Sequence, residues 1–159
     1  MKLTISENRI RMIFNVADNG QLSLCRMGTD EREPKDTKCF RPAVELIGNP
    51  GCGNWGKKQG LEGDRLRYVT HRDNRIDGGR LVEFDLADDR FLVTAHYRFF
   101  DGIDTFRAWT TVKNISDAPQ DLLFVSSFYY NGLENGDCED VKIVHNGWCQ
   151  EGNISSHTP

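Results

Sequence analysis

The residues with the most chemical potential gather in one glycine-rich stretch, Gly51-Cys52-Gly53-Asn54-Trp55-Gly56-Lys57-Lys58. The pattern approaches a phosphate-binding loop, which needs backbone amides around the phosphates, a lysine on their oxygens and a Ser or Thr hydroxyl on magnesium. Lys58 stands where that hydroxyl should be, and Gln59-Gly60-Leu61-Glu62-Gly63 cannot open a helix whose N-terminus would receive a phosphate. Nucleotide binding through this loop is therefore rejected. A long loop remains, of the kind that often serves binding. Trp55 offers it an indole that either stacks on a sugar ring or a partner domain, or pins the loop by local packing.

Other constellations are weaker. Acid–base work on glycosides needs two carboxylates about 5–10 Å apart in a pocket. The adjacent pairs Asp88-Asp89 and Glu139-Asp140 do not meet that need: the first reads as turn chemistry, and the second would point to opposite faces of a strand. Asp101 and Asp104 flank a tight turn and are expected to cap backbone amides. His71, His96, His145 and His157 show no HxH or HExxH spacing, so no metal site is expected, and His96 reads as a hydrogen-bonded strand residue. Ser126-Ser127 lacks the glycine-flanked sharp turn that exposes a hydrolase serine. No catalytic residue and no cofactor is assigned.

The elements that must position these groups are strands. Ile10, Met12, Phe14 and Val16 alternate with Arg9, Arg11, Ile13 and Asn15, and Asp18-Asn19-Gly20 turns the chain back through Leu22 and Leu24. Residues 26–42 read as a loop, Val44–Ile47 as a short strand, and 48–63 as the glycine-rich segment. From Arg65 the rhythm is regular. Leu66, Tyr68 and Thr70 share a face; Asp77-Gly78-Gly79 turns; Val82, Phe84 and Leu86 follow. After Asp88-Asp89 come Phe91, Val93, Ala95, Tyr97 and Phe99, then Asp101-Gly102, then Phe106, Ala108, Thr110 and Val112. Leu122–Tyr130 is apolar on both faces, as in a strand covered on both sides. A last strand is expected near Val141–Val144. Nine or ten strands with short turns specify an all-β, antiparallel sandwich, and no βαβ unit interrupts them.

Composition agrees. A chain of 159 residues, 38% hydrophobic and 28% charged, can bury one domain's core. A net charge of -4 gives no general reason to bind nucleic acid or an anionic membrane. The locally basic run from Lys57 to Arg80 reads as the wet face of a strand. No apolar run approaches the ~20 residues of a membrane span, and Met1–Glu7 reads as a short amphipathic strand rather than a leader, so a reducing cytoplasm is expected. Five cysteines (Cys25, Cys39, Cys52, Cys138 and Cys149), without CxxC spacing, argue against a disulfide framework or zinc knuckle, and Cys25 reads as a small buried apolar residue. The sequons at Asn114 and Asn153 carry little weight without a secretory leader.

Several motifs recur in an order that points to a family. They are Arg67-Tyr68-Val69-Thr70-His71-Arg72, Phe99-Phe100-Asp101-Gly102-Ile103, Arg107-Ala108-Trp109-Thr110, Asn114-Ile115-Ser116-Asp117, Val125-Ser126-Ser127-Phe128 and His145-Asn146-Gly147-Trp148-Cys149-Gln150-Glu151. Together, over roughly residues 44–152, they resemble the N-terminal β-domain of family 36 glycoside hydrolases, the α-galactosidase family. The resemblance implies a galactose-mutarotase-like β-supersandwich, partial within 1–159. In the complete enzyme it would pack on a (β/α)8 barrel that carries both catalytic aspartates, so no catalytic residue transfers to this chain. It also implies retaining hydrolysis of a terminal α-galactoside or N-acetylgalactosaminide by that barrel, and a homo-oligomer. A loop such as 48–60 would help close the sugar site, which makes Asn54, Trp55 and Lys57 the candidate substrate-proximal residues.

Two expectations follow. As an incomplete domain, the chain should leave some strands unpaired and some inner-face residues exposed. The alternative is a free-standing carbohydrate-binding or structural β-sandwich that uses exposed aromatics such as Trp55 and Trp148.

Overall fold

The computed structural model describes residues 1–29, 31, 41–48, 60–130, 141–145 and 153–157. They form an all-β protein whose strands are β1 (Lys2–Glu7), β2 (Ile10–Val16), β3 (Leu22–Gly28), β4 (Leu46–Gly48), β5 (Gly60–Leu61), β6 (Arg67–Ile76), β7 (Gly79–Ala87), β8 (Phe91–Phe100), β9 (Ile103–Asn114), β10 (Leu122–Val125), β11 (Val141–His145) and β12 (Asn153–His157). Every pairing is antiparallel. The sheets are β1-β2-β3, the meander β6-β7-β8-β9, the small sheet β10-β4-β5, and the hairpin β11-β12.

Sequence alternation explains the core. Phe91, Val93, Ala95, Tyr97 and Phe99 are buried on one face of β8, and Val82, Phe84 and Leu86 line up beside them on β7. This inner face of the meander packs on the β1-β2-β3 sheet. Phe14 meets Phe84 with centroids 4.6 Å apart and Tyr97 at 5.3 Å, contacts worth about 0.5–1.5 kcal/mol each beyond the area they bury. Burial holds the Tyr97 phenol protonated well above the ordinary range. The Asn19-Gly20 turn forms as expected: Gly20 takes a φ of 84° and Asn19 Oδ1 accepts the Gln21 amide at 3.0 Å.

One end of the sandwich is tied by polar groups. Asn8, at φ 51° in the β1–β2 turn, donates through Nδ2 to the carbonyls of Phe100 (2.8 Å) and Ile103 (2.7 Å). Asp104 does cap a backbone amide, but that of Arg9 across the sandwich (3.0 Å), and it pairs with the Arg9 guanidinium. Asp101 instead accepts from Arg75 at 3.0 Å. Glu7 receives Arg75 at 2.9 Å and Arg80 at 3.2 Å, and Arg80 grips Asp73 at 2.5 Å, holding that carboxyl below its usual range.

Four local expectations need correction. The alternation at the start of β6 breaks at Val69, where a bulge puts Tyr68 and His71 on the inner face and Thr70 opposite Asp85 on the outer one. The glycine-rich segment ends in β5 and a 3-10 turn at Glu62–Arg65 rather than running on as loop. Leu122–Tyr130 is not one doubly covered strand: β10 ends at Val125, and Leu123 and Phe124 are 60% and 48% exposed. The reason is a second irregularity at Leu123 on an edge strand, and the ladder closes at Ser126, whose amide still bonds the Glu45 carbonyl while its hydroxyl takes the Glu45 amide in place of a backbone carbonyl. Finally Cys25 is buried, as expected, but its sulfur is disulfide-bonded.

Candidate functional site

The loop that carries Asn54, Trp55 and Lys57 lies outside the described residues, as do Trp148, Glu139-Asp140 and the other four cysteines. The base of that loop is described. β4 and β5 bring its two ends side by side, with Ile47 opposite Leu61 and Gly48 opposite Gly60. A carboxylate that sequence reasoning did not single out fixes the base. Glu45, only 5% exposed, accepts through Oε1 from the Leu46 amide at 3.1 Å and the Gly63 amide at 3.2 Å. Burial raises its pKa, with the two amides and Arg41 acting in the opposite direction and Asp64 adding to the rise.

Around Glu45 the packing leaves no slack. A Cβ on Gly63 would stand 2.5 Å from the Val44 carbonyl and 2.8 Å from Glu45 Oε1, so only glycine fits. The Glu45 amide donates to Ser126 Oγ at 2.8 Å, and Ser126 returns its own amide to the Glu45 carbonyl at 2.9 Å. Ser126 is thus a structural clamp, tied further by Thr110 Oγ1 donating to its carbonyl at 2.7 Å. On the far side Glu62 pairs with Arg90, which reaches back to Asp88 at 3.6 Å. Asp88 is turn chemistry, as its order suggested: Oδ1 accepts the amides of Arg90 (2.8 Å) and Phe91 (2.6 Å).

A second polar assembly covers the outer face of the meander. Register places Arg72, Glu83, His96 and Trp109 in one row across β6 to β9. Arg72 donates to Glu83 at 3.1 Å and is bonded to Asp85, which holds the Asp85 carboxyl below its usual range; Thr94 adds a bond at 2.8 Å. His96 is a bonded strand residue, its Nε2 3.0 Å from Thr111 Oγ1, and its Nδ1 makes a close but poorly aligned approach to Glu83 at 2.8 Å. Its ring stacks on the Trp109 indole at 4.6 Å and 4°. Only the strand register unites these residues, and hydrophobic periodicity does not display it. Among the described residues, no group of three or more His, Cys, Asp or Glu side chains is placed to hold a metal ion.

The class defined by this fold is an all-β antiparallel sandwich protein. The chain matches no protein-family model and no curated protein. No helix among the described residues is long and apolar enough to cross a membrane.

Proposed function

We propose that the chain is the N-terminal, non-catalytic β-supersandwich of a retaining α-galactosidase-like glycoside hydrolase. Its role is to buttress a (β/α)8 barrel that holds the catalytic aspartates and the α-galactoside, and to support oligomer assembly. Support comes from the ordered motifs and, most directly, from the edges of the meander that stand open among the described residues. β6 and β9, of 10 and 12 residues, end the meander on either side with no further strand among the described residues, while Val69, Ile103, Leu123 and Phe124 stand exposed. Long edges, tied among the described residues only where the Tyr68 amide donates to the Gly20 carbonyl at 2.8 Å, and exposed apolar residues suit a domain finished by a neighbour. The described carboxylates at the loop base and on the outer face serve backbone amides and arginines, which suits a wall rather than a catalyst.

The test is turnover of a nitrophenyl α-galactoside by purified 1–159, expected to be nil, together with the reading frame beyond codon 159, expected to encode βα repeats. Turnover by the isolated chain, or an immediate stop, overturns the proposal. The expected cytoplasmic residence conflicts with the disulfide at Cys25, since oxidising compartments are where such bonds persist.

A further inference from the structure

Asn114-Ile115-Ser116 is a sequon, the three-residue pattern whose asparagine accepts an N-linked glycan in a chain that enters the secretory lumen. The pattern alone is common, but two observations of this structure give it weight. The first is compartment. Cys25 is disulfide-bonded, and such bonds persist in oxidising surroundings, the same lumen in which asparagines are glycosylated. The second is position. Asn114 closes β9, the outer strand of the meander, stands exposed, and leads into the bend at 116–118.

The bend presents the asparagine. Asn114 Oδ1 accepts the Ser116 amide at 2.9 Å and lies 2.8 Å from the Ser116 hydroxyl. Both contacts span two residues, so the arrangement needs no tertiary structure and is open to the chain before it folds. Asn114 Nδ2 donates to the Ala118 carbonyl at 2.8 Å, the single bond it makes among the described residues. A side-chain amide nitrogen carries two hydrogens. One can therefore be exchanged for a sugar while the other keeps Ala118. Ile115 beside it is 47% exposed, an apolar residue that a glycan would cover. Asn153, in the second sequon, instead opens β12 as the ladder partner of His145.

We propose that Asn114 is an N-glycosylation site, loaded by a lumenal transferase from an oligosaccharide carried on a lipid diphosphate. In that transfer Asn114 Nδ2 forms a bond to the anomeric carbon of the first sugar. The carbon–oxygen bond to the diphosphate breaks, its electron pair leaves with the diphosphate, and one Nδ2 proton passes to a base of the transferase. The hydrogen that remains on Nδ2 serves the Ala118 carbonyl in the folded glycoprotein. The site rests on the sequon, the exposed bend and the disulfide, and is independent of the glycosidase reading.

The test is peptide mass spectrometry on the protein isolated from its native source, after glycan removal by an amidase in heavy-oxygen water. Asn114 is expected as an aspartate that carries the heavy oxygen; an unmodified Asn114 overturns the site. In parallel the full 159-residue chain, behind a secretory leader, is translated in the presence of microsomes. A glycan-sized gain in mass that the amidase reverses is expected. Asn114→Gln and Ser116→Ala should each lose one glycan, and Ser116→Thr should keep it. Asn153→Gln should leave the Asn114 glycan in place. The readout is mass, so it does not require a variant to fold. A chain that enters the lumen without gaining mass, or a gain unchanged in Asn114→Gln, overturns the site.

Discussion

Replacing Glu45 separates the work of a hydrogen-bond acceptor from that of a buried charge. One oxygen, Oε1, serves both the Leu46 and Gly63 amides. Glu45→Gln can keep that oxygen as an amide carbonyl, whereas Glu45→Ala removes it. An orphaned buried amide costs about 1–3 kcal/mol, and the cramped Gly63 backbone cannot move to find another acceptor. With the second bond also lost, Glu45→Ala should destabilise by about 2–3 kcal/mol. For a domain of this size that lowers the thermal midpoint by roughly 4–12 °C. Glu45→Gln should cost less than ~1 kcal/mol at neutral pH, because the desolvated charge disappears with little loss of bonding. The pH dependence carries the sign. Burial raises the folded pKa above the unfolded value, so the native state binds the proton more tightly. The stability this contributes is complete below the ordinary glutamate range and is lost as pH rises through the elevated folded value. Wild type should show that decline and Glu45→Gln should lack it. Urea unfolding from pH 4 to 8, with hydrogen exchange at Gly63, reads all three proteins. Equal losses in the Ala and Gln variants would refute the acceptor role, and a pH profile shared by wild type and Gln would refute the buried charge.

Two further outcomes are expected. A Cβ on Gly79 would stand 2.0 Å from the Phe99 carbonyl oxygen, while Gly78, at φ 70°, has open space around it. Gly78→Ala should then cost about 1–2 kcal/mol of left-handed backbone strain, and Gly79→Ala should cost more because the β7–β8 ladder must shift; equal urea midpoints would contradict this. Reduction of the Cys25 disulfide should lower stability by about 2–4 kcal/mol, measured by melting with and without reductant. Alkylation of freshly isolated protein reports whether the bond exists in its native compartment.

The meander was the most legible part of the chain. Its inner residues alternate without interruption from Phe91 to Phe99, and Asp-Gly turns mark its tips, so period and punctuation agree. Reading failed where two backbone irregularities intervene, at Val69 and Leu123. A bulge inserts one residue and reverses every later face, and composition gives no warning of it. β12, Asn153–His157, carries little apolar character and was not anticipated. Glu45 carries no local signal, because its burial depends on Ser126 and Gly63, distant in sequence by 81 and 18 residues. The row from Arg72 to Trp109 is hidden similarly: its membership is fixed by strand register, which hydrophobic pattern alone leaves open.

Asn8 acts as a proofreader of alignment. Its amide must find the carbonyls of Phe100 and Ile103, the closing pair of the β8–β9 ladder, across 92 and 95 residues of chain. A hairpin slipped by one residue would turn its side chains to opposite faces and move those carbonyls away. The first turn of the protein can therefore lock only onto a correctly aligned β8–β9 hairpin, so a local error far along the chain is rejected at the beginning of it.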